Sequence, residues 1–474
     1  ALAAPILPMT AQSPPNLVFI MADQYRGDAL GCIGKEPVKT PSLDKLASEG
    51  ILFTNAISSY PVSSPARAML MTGMYPLNNK VTGNCNSDTA PYGVEISQDA
   101  RCWSDVLKDM NYHTGYIGKW HLDSPYKPYV DTYNNHGRIA WNEWCPPERR
   151  HGFEHWIAYG TYDYHLKPMY WNTTAATTVT IRFLHFLNPA KPRMPVWNTT
   201  APRDSFYYVN QWGPAYEADR AIEYIQDQKE RQQPFALVVS MNPPHTGYDL
   251  VPDKYKEMYK NLDIETLCAN RPDIPAKGTE MGDYFRNNIR NYYACITGVD
   301  ENVGRIIDAL KSNGLFNNTI VVFTSDHGIC MGAHNNPGKD IFYEEAMRIP
   351  MIISWPDKIK PRKDNRLMIA FADLYPSLLS MMGFQEEIPG TVQTFDLSRE
   401  ILGKSKREIV QPYYYVQYDN HSTGYRGLRT ATHTFVVHTT HGKIDETVLF
   451  DRTKDPYQMN NIAQSSPKLV KQLS

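Results

Sequence analysis

The chain has 474 residues, which favours one large domain with a smaller one rather than a single small domain. Hydrophobic residues at 42% and charged residues at 21% indicate a globular protein with a sizeable core, and a formal net charge of −2 argues against a nucleic-acid-binding protein. The seven cysteines are scattered, so they exclude a zinc framework and leave room for at most one or two disulfides.

The first 13 residues are mostly small and apolar and carry no charge. They are similar to the end of a secretory signal peptide, so we predict a signal-peptide remnant over residues 1–13 and an exported protein. No later stretch approaches the roughly 18 apolar residues of a membrane-spanning helix. The sequence therefore predicts no transmembrane segment.

The first predicted strand is the apolar run over residues 16–22, which is typical of a strand buried on both faces of a parallel sheet. Asp23 and Gln24 follow it directly. Side chains just beyond such a strand project into the crevice where open α/β sheets bind ligands. Asp23 is therefore a candidate metal ligand, although a turn or cap role is also open, and the amide oxygen of Gln24 could bind a hard cation.

Residues 63–73 predict a helix with good start and stop signals. Pro65 suits the first turn and Gly73 suits the end. Ser63 would lie at the helix N-terminus, where free N–H groups and the helix dipole favour an anion, and Arg67 lies one turn further on. An ordinary N-cap serine with a surface arginine is equally open from this stretch alone.

A strand predicted over residues 112–118 leads to Lys119 and His121, which lie two positions apart and share one face of an extended chain. A cation beside a titratable base suits an anionic ester. Further along the chain, Lys339 lies in a loop rich in glycine and asparagine. The alternatives at these positions are solvated lysines and a packed histidine.

Two later strands deliver candidate groups in the same way. Residues 234–241 lead to His245, a candidate general acid or a packed histidine. Residues 319–325 lead to Asp326 and His327. This second pair would meet the pair after residue 22 if the two strands are neighbours in one sheet.

Residues 124–214 show little periodicity and are rich in aromatic residues, proline and asparagine. A loop region of this length is uncommon in a compact domain and is usually functional, so we predict that it forms one wall of a pocket. Beyond residue 385, short strands predict a small antiparallel sheet with a closing helix. The predicted organisation is a catalytic domain over residues 14–385 and an α+β subdomain over residues 386–474.

Ser63-Ser64-Pro65-Ala66-Arg67 is followed by a hydrophobic stretch that ends in Thr72-Gly73. This run resembles the signature Cys/Ser-x-Pro-x-Arg of the formylglycine-dependent (type I) sulfatases of the alkaline-phosphatase-like superfamily, in its serine-type version. Gly-Lys-Trp-His-Leu at residues 118–122 resembles a second signature of the same family. The resemblance spans about residues 16–462 and touches several separate segments.

The resemblance implies an α/β fold with a large, mixed, mostly parallel sheet flanked by helices and a smaller C-terminal antiparallel sheet. It implies a bacterial protein in which a maturation enzyme oxidises Ser63 to formylglycine. Together with the predicted export, this gives a protein of the periplasm or the cell surface. The implied metal is Ca²⁺. Its implied ligands are Asp23, Gln24, Ser63, Asp326 and His327.

The resemblance also implies roles in catalysis. Arg67, Lys119 and Lys339 would cancel the charge of the sulfate together with Ca²⁺. His245 would protonate the departing sugar oxygen after a hydroxyl of the hydrated formylglycine has attacked sulfur. His121 would help to deprotonate the second hydroxyl, which releases sulfate.

We therefore predict an exo-acting carbohydrate sulfatase. The aromatic and polar segment from Trp144 to Trp171 would hold the sugar, with His165, Arg149 and Arg150 as candidate substrate-binding residues, although these aromatics could instead form a local core. A sulfated galactose or hexosamine and a sulfated uronic acid of a glycosaminoglycan are both open. Two rival functions are a phosphate or phosphonate monoester hydrolase of the same superfamily and an unmodified protein that only binds sulfated glycans.

Overall fold

The computed structural model describes residues 13–172, 182–183, 195–196, 203, 205–231 and 233–474. Apart from its last residue, the predicted signal-peptide remnant over residues 1–13 lies outside the described residues, as does much of the predicted loop region beyond residue 172.

The strands of the described residues are, in chain order, β1 Asn16–Ala22, β2 Ile51–Phe53, β3 Ala56–Ile57, β4 His113–Lys119, β5 His155–Tyr159, β6 Met169–Asn172, β7 Arg182–Phe183, β8 Pro195–Val196, β9 Tyr207–Tyr208, β10 Phe235–Met241, β11 Thr319–Thr324, β12 Met351–Ser354, β13 Arg362–Asp364, β14 Ile369–Ala370, β15 Gln411–Val416, β16 Gly424–Arg429, β17 His433–Thr440 and β18 Lys443–Asp451. The α-helices are α1 Pro41–Ser48, α2 Ser63–Thr72, α3 Pro76–Asn79, α4 Trp103–Asp109, α5 Gly213–Arg231, α6 Asp253–Glu257, α7 Ile264–Ala269, α8 Glu280–Ser312, α9 Glu344–Met347, α10 Leu374–Met381, α11 Ser398–Ile401 and α12 Pro467–Leu473.

The main sheet has ten strands in the order β13-β2-β12-β11-β1-β10-β4-β5-β6-β9. Its centre, from β11 to β5, is parallel, and antiparallel pairs flank this centre at β11–β12 and β5–β6. A separate four-stranded antiparallel sheet has the order β15-β16-β17-β18. The predicted fold class, a large mixed sheet with a smaller C-terminal antiparallel sheet, is confirmed.

The central strand β1 is buried on both faces because it contributes to two cores at once. Successive side chains of a strand point to opposite faces, so Leu17 and Phe19 pack against one layer that includes α2, α4 and α10. Val18 and Ile20 pack against the other layer, which includes α1, α5 and α8. Burying each such side chain contributes roughly 1.5–3 kcal/mol, which explains the continuous apolar run in the sequence.

Two helices differ from the boundaries that the pattern predicts. The amphipathic pattern of the sequence predicts a long helix over residues 291–315. The corresponding helix, α8, begins earlier, at Glu280, because Thr279 caps it by accepting a hydrogen bond from N of Gly282 at 3.2 Å. The sequence also predicts a last long helix over residues 367–382, but the helix in the structure is only α10, Leu374–Met381. The residues just before α10 are not helical in the predicted way. Ile369 and Ala370 form β14, which pairs with β3, and residues 371–373 form a 3-10 turn.

The C-terminal sheet packs on the larger part of the chain through a shared apolar cluster. Ile57, Phe342 and Met347 share this cluster with Tyr413 of β15, Val436 of β17, and Val448 and Phe450 of β18. The domain boundary at residue 385 stays a prediction. Among the described residues, no helix is both long and apolar enough to cross a membrane. All seven cysteines are described and are free thiols.

Candidate active site

Polar side chains gather where four strands of the main sheet end. β11, β1, β10 and β4 lie side by side and run parallel, so their carboxyl ends meet at one edge. Asp23 follows β1, Asp326 lies just beyond β11, Asn242 follows β10, and Lys119 is the last residue of β4. The sheet therefore brings together residues that are far apart in the chain.

Asp23 and Asp326 are fully buried at this edge. Oδ2 of Asp23 is 2.7 Å from Nζ of Lys119, whereas its Oδ1 has no hydrogen-bond partner among the described residues. Burial disfavours the charged form of Asp23, but the charge of Lys119 and other nearby cations outweighs burial and holds its pKa well below the usual value. Burial and the neighbouring Asp23 raise the pKa of Asp326.

These carboxylates and one imidazole fit a divalent cation. One ligand atom from each of Asp23, Asp326 and His327 lies within 4.8 Å of the other two. Carboxylate oxygens are the ligands that Ca²⁺ prefers, and the unpartnered Oδ1 of Asp23 lacks a positive partner that an ion would supply. Gln24 lies beside the cluster, where its Oε1 accepts a hydrogen bond from Nζ of Lys339 at 2.9 Å.

Ser63 is the first residue of α2 and is buried beside this cluster. Its Oγ is 3.0 Å from Nε2 of His327 and 3.3 Å from Oδ2 of Asp23. The helix start is held in place by the next residue, since Oγ of Ser64 donates to the carbonyl of His121 at 2.7 Å. The hydroxyl of Ser63 thus faces the candidate metal ligands and does not cap the helix.

Arg67, one turn further along α2, points into the protein and is 2% exposed. Its Nε is 2.9 Å from Oδ2 of Asp326, and its two terminal nitrogens donate to Oδ2 of Asp23, to the carbonyl of Lys119 and to Oγ of Ser240. The carboxylates outweigh burial and raise the pKa of Arg67. Arg67 therefore positions the carboxylates and the end of β4, and it lies outside the lining of the cavity.

Two histidines of the site, His121 and His245, differ in which ring nitrogen is bound by a protein partner. Nε2 of His121 is 3.2 Å from the carbonyl of Cys85, which assigns the hydrogen to Nε2 and leaves a lone pair on the buried Nδ1. Burial and the charge of Lys119 hold the pKa of His121 well below its usual value. In His245, Nδ1 is 3.0 Å from Oδ1 of Asp163, and Nε2 is 3.2 Å from Nζ of Lys339.

A cavity of about 1050 Å³ is lined by Ser63, Lys119, Lys339 and both histidines. Seven aromatic residues of its remaining walls come from three separate parts of the chain. The aromatic residues of these walls are Tyr60, Tyr133, Trp141, Tyr162, Tyr164, Tyr415 and Tyr418. The cavity thus combines a charged group of side chains with the broad apolar surfaces typical of ligand sites.

Two family models match the chain. The model described as sulfatase matches residues 15–384, and the model described as N-sulphoglucosamine sulphohydrolase, C-terminal, matches residues 332–474. The first of these covers well over half of the chain. The protein belongs to the sulfatase family. The resemblance inferred from the sequence motifs is confirmed, and this sulfatase is a sulfuric ester hydrolase.

Relatives match the sulfatase over nearly its whole length. An endo-4-O-sulfatase of Bacteroides thetaiotaomicron is 32% identical, with 96% of this chain and 89% of the relative covered. An ulvan-active sulfatase of Formosa agariphila is 34% identical, with 94% of this chain and 77% of the relative covered. The crystal structure of the yidJ protein of Bacteroides fragilis is 74% identical with a TM-score of 0.91, and the match covers 99% of this chain and 96% of that chain.

Two arginines predicted to bind substrate are placed elsewhere in the sulfatase. Arg149 is buried, its Nε is 2.6 Å from Oδ1 of Asp123, and it also donates to the carbonyl of Ile96. Arg150 is buried as well and donates to the carbonyl of Cys145. Neither lines the cavity. A buried guanidinium needs internal partners, and these partners hold both side chains away from the site.

His165 also lies outside the lining of the cavity. Its Nε2 is 2.9 Å from the carbonyl of Thr246, so this nitrogen donates to the segment next to His245. Most aromatics of the Trp144 to Trp171 segment form a local core, as the alternative reading of the sequence allowed. Of this segment, Tyr162 and Tyr164 do line the cavity.

Sequence reasoning missed several residues of the site. Asn242 follows β10 directly, as Asp23 follows β1, so the same strand-end signal could have identified it. Asp163 lies in a loop that carries no such signal. Tyr415 and Tyr418 come from the C-terminal sheet and the turn after it, and only the packing of that sheet brings them to the cavity.

Proposed function

We propose that this sulfatase hydrolyses the sulfate ester of a glycan, with Ser63 oxidised to formylglycine as the nucleophile and Ca²⁺ bound beside it. The observation that carries the proposal is the position of Ser63, whose Oγ is 3.0 Å from Nε2 of His327 and lines the cavity beside Lys119 and Lys339. Cations around a nucleophile suit an anionic ester, because the charge of the ester otherwise repels attack.

Five side chains would hold the calcium ion. They are Asp23, Gln24, residue 63, Asp326 and His327. Bound there, Ca²⁺ would neutralise negative charge that the sulfate carries and that develops during the reaction. The unpartnered, fully buried Oδ1 of Asp23 supports the assignment, because a buried carboxylate oxygen without a partner is costly.

Lys119 and Lys339 would bind the sulfate oxygens, since both ammonium groups line the cavity beside Ser63. Nε2 of His245 would give a proton to the departing sugar oxygen, because Asp163 occupies its Nδ1. His121 would accept a proton on Nδ1, which is buried with its lone pair free among the described residues. Arg67 would act indirectly by holding the two carboxylates in place.

Formylglycine would supply, in its hydrated form, the two hydroxyls that a plain serine lacks. Ser63 and the rest of α2, from Ser63 to Thr72, are buried. A maturation enzyme would therefore have to reach this segment before the chain folds. We infer that oxidation of Ser63 precedes folding.

The charges of the cavity favour one of the substrate classes left open by the sequence. Among the described lining residues, Lys119 and Lys339 contribute positive charge. Asp163, Asp340 and Asp419 contribute negative charge. A uronate would place a second anion against these carboxylates. We therefore propose a sulfated galactose or hexosamine rather than a sulfated uronic acid.

Exo-action and export to the periplasm or cell surface stay predictions. The relative from Bacteroides thetaiotaomicron is named as an endo-acting enzyme, so the mode of action is the first property to measure. Incubation with defined sulfated oligosaccharides separates the modes, because exo-action removes sulfate only from the terminal sugar. Loss of internal sulfate from intact chains would contradict exo-action.

One experiment tests the modification. Mass spectrometry of the peptide that contains Ser63 should show the loss of two hydrogens in active protein. An unmodified serine in protein that nevertheless releases sulfate would overturn the proposed nucleophile. An unmodified serine together with glycan binding and no turnover would favour the rival reading, a sulfated-glycan-binding protein.

A second experiment tests the substrate. Sulfate release should be measured from a panel of monosulfated galactose, hexosamine and uronate sugars, alongside 4-nitrophenyl sulfate, phosphate and phosphonate. We expect turnover of a neutral sulfated sugar. Faster turnover of the phosphate or phosphonate ester would favour the rival hydrolase, and preference for the uronate would contradict the charge argument.

A further inference from the structure

Asp163 lies in the loop between β5 and β6 and lines the cavity with a half-exposed side chain. Its Oδ1 is 3.0 Å from Nδ1 of His245 and accepts a hydrogen bond from Nδ2 of Asn242 at 3.0 Å. Its Oδ2 has no hydrogen-bond partner among the described residues. One oxygen of this carboxylate is thus held by the protein, and the other is free at the cavity wall.

We propose that Asp163 is a positioning and specificity-determining residue: Oδ1 orients His245, and Oδ2 accepts a hydrogen bond from a sugar hydroxyl next to the sulfate ester. The inference rests on the proposed function, since it assigns a role towards the same sulfated sugar. It concerns a residue that does not bind sulfate itself.

The first half of the proposal follows from which nitrogen carries a hydrogen. A carboxylate only accepts hydrogen bonds, so Asp163 requires N–H at Nδ1 of His245. Thr246 Oγ1 is also near, 3.1 Å from Nδ1, but a hydroxyl can accept or donate and therefore does not select a tautomer. Asp163 leaves Nε2 as the nitrogen that exchanges a proton with the departing oxygen.

Asp163 also affects how readily His245 carries its proton. Burial lowers the pKa of His245, and the ammonium groups of Lys339 and Lys119 lower it further. Asp163 opposes them and is the largest contribution that raises the pKa, with Asp23 a smaller one. A general acid must be protonated before it acts, so the charge of Asp163 increases the fraction of His245 that is competent.

The carboxylate is fixed and is not a mobile surface group. Asn242 donates from Nδ2 to Asp163 and to the carbonyl of Tyr162, and its Oδ1 accepts from Nζ of Lys119 at 3.1 Å. Because Lys119 is a candidate sulfate ligand, this chain of contacts sets the distance between the sulfate site and Oδ2 of Asp163. We therefore assign to Oδ2 a hydroxyl adjacent to the sulfated carbon, because Asn242 contacts both Lys119 and Asp163.

The test is Asp163→Asn, which keeps the shape and an acceptor oxygen but removes the charge. Turnover of the favoured sulfated sugar should fall about 10- to 100-fold, less than most of the ~10²–10⁴-fold range that a general acid contributes, because His245 itself is still present. The alkaline limb of the pH–kcat profile should move about one pH unit lower, because His245 loses an anionic neighbour. Turnover of 4-nitrophenyl sulfate should change little, since its leaving group needs no proton.

Asp419→Asn is the matched control, because it removes the same charge from the same cavity without a contact to His245. The alkaline limb of the pH–kcat profile of Asp419→Asn should coincide with that of the wild type. In a His245→Ala background, Asp163→Asn should no longer change the ratio of sugar to 4-nitrophenyl turnover. KM for the sugar should rise, because the amide nitrogen that replaces Oδ2 cannot accept a hydrogen bond from a sugar hydroxyl.

If Asp163→Asn lowered turnover of the sugar and of 4-nitrophenyl sulfate equally, and left the alkaline limb of the pH–kcat profile unchanged, the proposal would be overturned. Asp163 would then have only a structural role. An unchanged KM for the sugar in the His245→Ala background would remove the contact assigned to Oδ2. Wild-type protein that releases no sulfate from any ester would instead contradict the proposed function, so the two failures are distinguishable.

Discussion

At the scale of single residues, Ser63 and Ser64 are neighbours with separable roles. Ser63→Ala should abolish sulfate release and leave thermal stability nearly unchanged, because the variant loses the modified residue but few contacts. Ser64→Ala is the matched comparison: it removes hydrogen bonds to the carbonyl of His121 and from N of Cys85, so it should cost about 1–3 kcal/mol and lower turnover without abolishing it. Sulfate release and thermal melting measure both effects. Full turnover by Ser63→Ala would refute the nucleophile.

At the scale of elements, Arg67 joins α2 to the ends of β1, β4 and β11 through buried contacts with Asp23 and Asp326. Arg67→Ala should lower the free energy of unfolding by about 3–5 kcal/mol, because it leaves buried carboxylates without their partner. Urea unfolding in the absence of metal measures this loss. The control is Arg101→Ala, whose exposed pair with Asp109 is worth about 1 kcal/mol or less. Equal stability of the two variants would contradict the role given to Arg67.

A salt bridge between Glu344 and Arg429 joins α9 to β16 of the C-terminal sheet. Nε and Nη2 of Arg429 each lie 2.8 Å from one carboxylate oxygen of Glu344. Burial opposes the charge of Glu344, but Arg429 and Arg452 outweigh it and hold the pKa of Glu344 well below its usual value. A carboxyl with a lowered folded pKa stabilises the protein above its unfolded pKa of about 4.3, and this stability is lost as pH falls further.

Glu344→Gln should therefore be less stable than the wild type at pH 7 by about 3–5 kcal/mol, and the difference should shrink below about pH 4. Denaturant unfolding at a series of pH values measures it. Glu386→Gln, at an exposed position, should follow the wild type throughout. A difference that stays constant down to pH 3 would show that the charge of Glu344 is not what joins the two elements.

At the scale of the whole molecule, the site depends on strands distant in the chain, so a bound ion should stabilise the entire fold. Calcium should raise the melting temperature of metal-free protein and restore sulfate release after EDTA treatment. Asp326→Ala should lose both responses, whereas Asp340→Ala, which lines the cavity away from the ligand cluster, should keep the thermal response. Undiminished activity in rigorously metal-free protein would refute the metal site.

The sequence alone was sufficient to predict the α/β fold and the neighbourhood of Ser63, Asp23 and Asp326. The physical reason is local: continuous apolar runs specify buried parallel strands, and polar residues directly after them lie at the carboxyl edge of the sheet. The motifs around residues 63–73 and 118–122 added the family. The starts of α8 and α10 were not predictable from the local pattern. The cap residue Thr279 decides where α8 begins, and the pairing of β14 with β3 decides where α10 begins.

The tertiary structure decided where charged and aromatic side chains point. Arg149 and His165 resemble pocket residues in sequence, yet Asp123 and the carbonyl of Thr246, both distant in the chain, hold them inside the protein. Likewise, Tyr164 from the loop after β5 and Tyr415 from the C-terminal sheet line the same cavity, although they are far apart in the chain. Buried polar groups must find partners, and those partners are supplied by long-range packing, which a local sequence pattern does not contain.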